Sequence, residues 1–230
     1  SVTCVPMGVV PSRLHNSAQL NPGGKLGLLF VGRIAEKKGL EHLIKALSML
    51  ADQGRIEILE VCGSGQLEAQ MRHLAQDMGL SEFIWFRGYV SDPELAESYA
   101  RADIVVVPSV EARYGDVEGV PVVVLESMFL GKAIVATRVG GIVDVLGSFT
   151  GILVEQRSPE QLASALMKLL ADPRHAKMLG ARAAKIARRR YTVQSTCDRF
   201  CSTFERTLIT SRNSLSGPTL RPRPSMPTSA

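Results

Sequence analysis

Short apolar runs recur along the chain, each followed by a stretch whose apolar residues fall three or four apart. The runs "LGLLFVGRI" (26–34), "RIEILEVCG" (55–63), "FIWFRG" (83–88), "DIVVVPS" (103–109), "AIVAT" (133–137) and "GILVE" (151–155) predict strands. Between the first two, Leu40, Leu43, Ile44, Leu47 and Leu50 lie on one face of a helix from about Gly39 to Gln53. Further helices are expected over 66–79, 92–101 and a short segment near 141–146, with more running to about residue 210. Strands that alternate with helices predict an α/β fold, a Rossmann-like parallel sheet with helices on both faces. Crossovers are right-handed in such sheets, and ligands bind beyond the carboxyl ends of the strands. Trp85 falls inside a strand, where core packing is expected.

One segment resists the pattern. "EGVPVVVLE" (118–126) carries three successive valines, which favour strand because β-branched side chains lose χ1 freedom in a helix. A strand here would sit a short turn before "AIVAT" and break the alternation. Pro121 suits a helix start and Gly131 a helix end, so a helix from about Val120 to Leu130 is the other reading. Periodicity leaves both open.

Composition narrows the class. The 230 residues are 45% hydrophobic, enough for a large core in one or two domains. The formal charge is +5, but Arg212, Arg221 and Arg223 lie in a final segment without acids, which leaves the body near +2. With aromatics at only 5%, nucleic acid is not the expected partner. Residues 211–230 hold five serines and four prolines and read as a disordered tail. Four cysteines and four histidines show no zinc spacing, so no metal site and unpaired thiols are expected. No apolar run reaches transmembrane length.

The chemistry gathers at the predicted strand ends. In "VGRIAEKKG", Gly32 closes the first strand, and Arg33 and Lys38 lie near the start of the next helix, whose N–H groups favour anions. In "CGSGQ", Gly63 and Gly65 would let backbone approach a ligand closely. Each feature is common as a solvated charge or a tight turn; together, at neighbouring strand ends, they suggest a phosphate-bearing ligand.

The segments "FVGRIAEKKG", "CGSG", "FRGYVSDPELAESYARADIVVVPS", "EGVPVVVLESMFLGKAIVAT" and "VGGIVDVL" resemble the C-terminal, nucleotide-sugar-binding domain of retaining GT-B glycosyltransferases. The match is to glycosyltransferase family four, whose mark is two glutamates separated by seven residues, over roughly residues 1–205. The resemblance implies a helix at 120–130. It also implies residues 1–24 as an interdomain entry segment and 25–210 as the donor domain. Arg33 and Lys38 match the basic pair on the donor diphosphate, and Glu118 the acid at the sugar, making these three the expected catalytic residues. Glu126 matches the ribose acid. Gly32, Gly63, Gly65, Gly88, Tyr89, Val90, Gly119, Val120, Pro121 and Val122 complete the expected donor lining, with Thr137, Gly140 and Gly141 at the next corner. The implied donor is a UDP- or GDP-sugar, with no metal or other cofactor, and the acceptor a glycan or lipid-linked molecule of surface polysaccharide synthesis.

Departures exist. Val143 and Asp144 stand where many relatives have proline and glutamate, and "VEARYGD" lengthens the loop before Glu118. The chain begins at Ser1, and a partner N-terminal acceptor domain is expected from a longer enzyme. The expected location is cytoplasmic; the basic "KIARRRY" (185–191) reads first as a solvated helix end, where cations are favoured, and otherwise as peripheral contact at the inner membrane face. Two rivals share the architecture: a sugar-nucleotide epimerase, and a non-catalytic binding module that needs a partner chain.

Overall fold

The computed structural model describes residues 27–55 and 57–202; the expected entry segment 1–24 and tail 211–230 lie outside them. Six strands, β1 (Leu28–Val31), β2 (Leu59–Cys62), β3 (Ile84–Gly88), β4 (Ile104–Val107), β5 (Ala133–Thr137) and β6 (Ile152–Val154), form one sheet in the order β3-β2-β1-β4-β5-β6. Every pairing is parallel. The helices are α1 (Leu40–Asp52), α2 (Glu68–Asp77), α3 (Asp92–Arg101), α4 (Val122–Phe129), α5 (Ile142–Val145), α6 (Pro159–Ala171) and α7 (Pro173–Arg190). Residues 193–202 are helical as well.

Strand alternation explains the two-sided core. Leu28 and Phe30 join an apolar cluster with Leu43 and Ile44 of α1 and Leu162 and Leu166 of α6. Leu29, between them, joins a second cluster with Val124 of α4 and Ala183 and Ala187 of α7. Successive side chains of a strand point to opposite faces, so a sheet covered on both sides needs apolar residues at every position. That is why the central strands β1 and β4 read as unbroken apolar runs.

The ambiguous segment is helical. Pro121 caps α4 in an extended conformation, and Gly131 ends it with φ +68. Three valines cost up to about 0.7 kcal/mol each in helix propensity. Val123 and Val124 are buried, along with Leu125, Met128 and Phe129, and each such burial is worth about 1.5–3 kcal/mol. Packing outweighs propensity.

Trp85 corrects the expectation of core packing: it is 46% exposed. β3 is an edge strand, and its register pairs Trp85 with Glu60 on the face opposite Ile84. α5 is a single turn, shorter than the helix expected near 141–146.

At Gly180, α7 crosses the turn after α4 so closely that a Cβ would overlap the Gly131 carbonyl oxygen. Alanine normally stabilises a helix interior by about 1 kcal/mol over glycine. Here Gly180→Ala is expected to destabilise by about 1–3 kcal/mol in urea unfolding, and a stabilised variant would refute this packing.

Candidate functional site

The chain travels outward from β1 to β3 and then returns to β4 on the far side of β1. Crossovers leaving the carboxyl ends of β1 and β4 therefore go to opposite faces of the sheet, the arrangement that creates a crevice at a switch point; the two loops touch where Val110 N donates to Lys37 O at 2.9 Å. The β1 loop carries Gly32, Arg33 and a 3-10 turn, Glu36–Lys38; the β4 loop carries Asp116 and Glu118 on its way to α4.

Two ion pairs join these loops. Lys38 Nζ lies 3.1 Å from Glu118 Oε1, with side chains only 17% and 12% exposed, and Lys37 Nζ lies 3.2 Å from Asp116 Oδ2. Beside them is a cavity of about 510 Å³ lined by Arg33, Glu36, Lys37, Lys38, Gln66 and Asp116, among others. Its wall mixes three cations with two acids. Arg33 is exposed. The structure thus brings together Arg33, Lys38 and Glu118, the three residues expected to do the chemistry.

The glycines divide by role. Gly63 was expected to admit a ligand, but its missing Cβ makes room for the Gly32 carbonyl oxygen, and that of Gly65 for the Ile34 carbonyl oxygen. These glycines let two loops of the chain approach each other. Hydrogen bonds from Gly32 N to Cys62 O (2.9 Å), Ile34 N to Ser64 O (2.9 Å) and Gly63 N to Gly88 O (2.8 Å) tie three strand ends together. Gly119 differs, since a Cβ there would meet nothing within 4 Å. Gly88 is also open, Tyr89 is 87% exposed and Val90 is partly buried, all at the end of edge strand β3.

The next corner supports the Glu118 loop from behind. The hydroxyl of Thr137, fully buried, donates to the Ser109 carbonyl, and Gly141 N donates to Gly119 O at 3.1 Å. A Cβ on Gly140 would overlap the Glu118 carbonyl oxygen, and one on Gly141 would come within 2.8 Å of Val120 Cγ2. Thr137 thus acts on the loop, not on open space. Val143 and Asp144 are exposed on α5, and Val122 is exposed in the first turn of α4 while Pro121 is buried.

Glu126 lies one helical segment further along α4, and its Oε2 accepts a hydrogen bond of 2.8 Å from the Tyr99 hydroxyl. Burial, and then the negative charge of Glu126, push the Tyr99 phenol well above its ordinary pKa. Sequence reasoning missed Tyr99. It also missed the buried Glu60, which Ser98 Oγ meets at 2.7 Å and Arg101 Nη2 at 2.9 Å. The signal was present: a single acid inside the apolar run "ILEVC" calls for a buried cationic partner. Cys62 is buried and its thiol is shifted upward by desolvation, while Cys197 and Cys201 are exposed. Among the described residues, no three His, Cys, Asp or Glu side chains converge as a metal-ligand set.

A doubly wound parallel sheet with a charged crevice at its switch point defines a Rossmann-like class of α/β domain. The family pattern of the glycosyl transferases group 1 matches residues 13–186, and the chain belongs to that family. It is 31% identical over 71% of its length to the amylovoran biosynthesis glycosyltransferase AmsK of Erwinia amylovora. It is 32% identical over 69% of its length to the GDP-mannose-dependent alpha-(1-6)-phosphatidylinositol monomannoside mannosyltransferase of Mycolicibacterium smegmatis. The chain spans 40% and 42% of those two relatives. Among solved structures, HepE of Anabaena in complex with UDP superposes with a TM-score of 0.69 at 22% identity, over 79% of this chain and 49% of that one. The C-terminal domain of LpcC from Francisella tularensis gives a TM-score of 0.69 at 22% identity, over 81% of this chain and all of that one. At such identities the likeness establishes the GT-B type of fold alone.

The two kinds of glycine behave oppositely under substitution. Gly140→Ala, with φ +51 and no space, is expected to cost about 2–4 kcal/mol in urea unfolding. Gly119→Ala is expected to stay within about 0.5 kcal/mol of the wild type. Equal effects would contradict the division.

Proposed function

We propose that the domain binds the activated-sugar donor, a UDP- or GDP-sugar, of a retaining glycosyltransferase of family four. The observation that carries this reading is the Lys38–Glu118 pair at the switch point, beside the cavity that Arg33 and Lys38 line. A donor diphosphate in that cavity gains negative charge as its bond to the sugar breaks, and the guanidinium and ammonium offset it. The reading assigns this charge stabilisation to protein cations and needs no metal. In this reading the N-terminus of α4, which follows the Glu118 loop, turns its backbone donors toward the diphosphate. Glu118 then stands at the sugar, where its charge favours an oxocarbenium-like transition state, and Glu126 accepts from the ribose hydroxyls. Tyr89 and Val90 stand near the base. The retaining outcome and family four rest on the resemblance of the motifs, and the relatives' names point toward surface polysaccharide or glycolipid acceptors. An N-terminal acceptor domain completes the cleft in this reading.

The proposed acceptor sets where the enzyme works. α7 carries seven Arg and Lys residues and no acid. The helix dipole accounts for Arg188, Arg189 and Arg190 in its last turn but opposes Arg174 and Lys177 near its start. All are exposed except on the face that Ala176, Leu179, Ala183 and Ala187 bury. We infer peripheral contact with the anionic inner face of a membrane. No described helix is long and apolar enough to cross one.

Three measurements test these statements. UDP or GDP at about 100 times its dissociation constant adds about 2.7 kcal/mol, a Tm rise of roughly 5–10 °C. Lys38→Met removes most of that rise; a chain that melts unchanged with both nucleotides has no donor site here. In the enzyme that contains the acceptor domain, Glu118→Gln is expected to lower turnover at least about 100-fold. Glu118→Ala is the poorer variant because it strips Lys38 of its partner in a mostly buried setting. Donor converted without acceptor would instead identify an epimerase. Finally, replacing Arg182, Lys185 and Arg189 with glutamine weakens co-sedimentation with phosphatidylglycerol vesicles roughly 100-fold, at about 1 kcal/mol per cation. Binding that survives high salt, or that persists on neutral vesicles, argues against charge-driven docking.

A further inference from the structure

Two buried groups have no part in the donor reading: the Glu60 carboxylate, in a residue only 6% exposed, and the Tyr99 phenol, in one 1% exposed. They are linked through α3. Ser98 and Arg101, the residues flanking the Tyr99–Ala100 step, both hydrogen-bond Glu60 on β2, at 2.7 and 2.9 Å. Arg87 of β3 adds a more distant cation at 3.8 Å. These contacts fix the rotation of α3 about its axis, since both must face β2 at once. The capping box at Ser91, whose N–H donates to Glu94 at 2.8 Å, fixes where the helix starts.

With α3 so held, Tyr99 enters the apolar cluster that includes Leu29, Val105 and Val124, and its hydroxyl emerges at Glu126. The phenol is a rigid donor with two torsions, and the glutamate it meets has three. We propose that Tyr99 is a positioning residue: its bond to Oε2 holds the Glu126 carboxylate in the orientation that receives a vicinal diol, making the domain selective for intact ribose. This rests on the donor reading, in which Glu126 meets the ribose. Because the Glu126 rotamer is set before the ligand arrives, the ligand does not bear the cost of ordering it. The upward shift of the phenol keeps it protonated, and so a donor, throughout the neutral range.

A merely structural tyrosine would make the same bond, so the test must read selectivity. Dissociation constants of the 230-residue chain are measured by calorimetry for UDP, GDP and the 2′,3′-dideoxy form of each, in the wild type, Tyr99→Phe, Glu126→Gln and the double variant. The ratio of the two constants within one variant cancels any loss of folded fraction. The wild type is expected to prefer the ribose form about ten-fold or more, a carboxylate–hydroxyl contact being among the stronger hydrogen bonds. In Tyr99→Phe that preference falls to about three-fold or less, with dideoxy binding unchanged within about two-fold, and in the Glu126→Gln background the change has no further effect. If Tyr99→Phe keeps the full preference, the positioning role is overturned while the donor reading stands. If the wild type binds but does not distinguish ribose from dideoxyribose, the assignment of Glu126 falls, and the role of Tyr99 with it. If neither diphosphate binds, the donor reading itself is overturned.

Discussion

Reversal of the winding order between β3 and β4 sends the crossovers that leave β1 and β4 to opposite faces of the sheet, and beyond the point where their loops touch, Val110 N to Lys37 O at 2.9 Å, the pair Lys38–Glu118 joins them. Two unit charges at this separation, in a mostly buried setting, attract by about 5 kcal/mol at an effective dielectric of about 20, but withdrawing them from water costs a similar amount. The pair therefore adds little to net stability. What it supplies is position: an ammonium and a carboxylate held in fixed relation at the point where a parallel sheet accepts ligands. Lys37–Asp116, more exposed, repeats the link one step outward and adds still less energy.

Backbone spacing makes the pair possible. Gly63 and Gly65 allow the β2 loop to lie directly against the β1 loop, so Lys38 is presented from a layer only one backbone deep. Gly140 and Gly141 do the same for the Glu118 loop from the β5 side, with Thr137 anchoring Ser109 below. Both partners of the pair thus rest on loops braced by a neighbouring strand end. Gly119 alone among these faces open space, the arrangement expected of a residue that meets something outside the chain.

The alternation of elements, the apolar strand runs and the helix starts were legible because they depend on local periodicity and caps. α1, expected from Gly39 to Gln53, spans Leu40–Asp52, and α3, expected at 92–101, spans Asp92–Arg101. α4 was not legible from propensity, since its valines favour strand and only burial on the finished sheet reverses the choice. Trp85 misled for a related reason. Strand residues are core residues only if the strand is interior, and sheet order is not a local property. At the site, Arg33, Lys38 and Glu118 were singled out because their loops carry a recognisable pattern, and the fold sets them near one another, whereas the chain packing at Gly63 and Gly65 was not legible. A glycine that admits a ligand and one that admits its own chain look alike in sequence; they differ only in what stands beyond the missing Cβ.

Glu60 shows how far a site's foundations extend from its chemistry. A carboxylate inside an apolar strand needs Arg101 and Ser98 to offset its desolvation, and a well-packed apolar trio of similar volume would match its stability. An apolar trio, however, would leave α3 free to rotate or slide by small amounts, because apolar packing tolerates many near-equivalent arrangements. Hydrogen bonds to one carboxylate do not. Since Tyr99 lies between the two residues that make them, a small rotation of α3 would carry its hydroxyl away from Glu126. The buried charge is thus better understood as fixing the register between α3 and α4 than as strengthening the core. That places its effect on the geometry of a carboxylate one layer away, on α4.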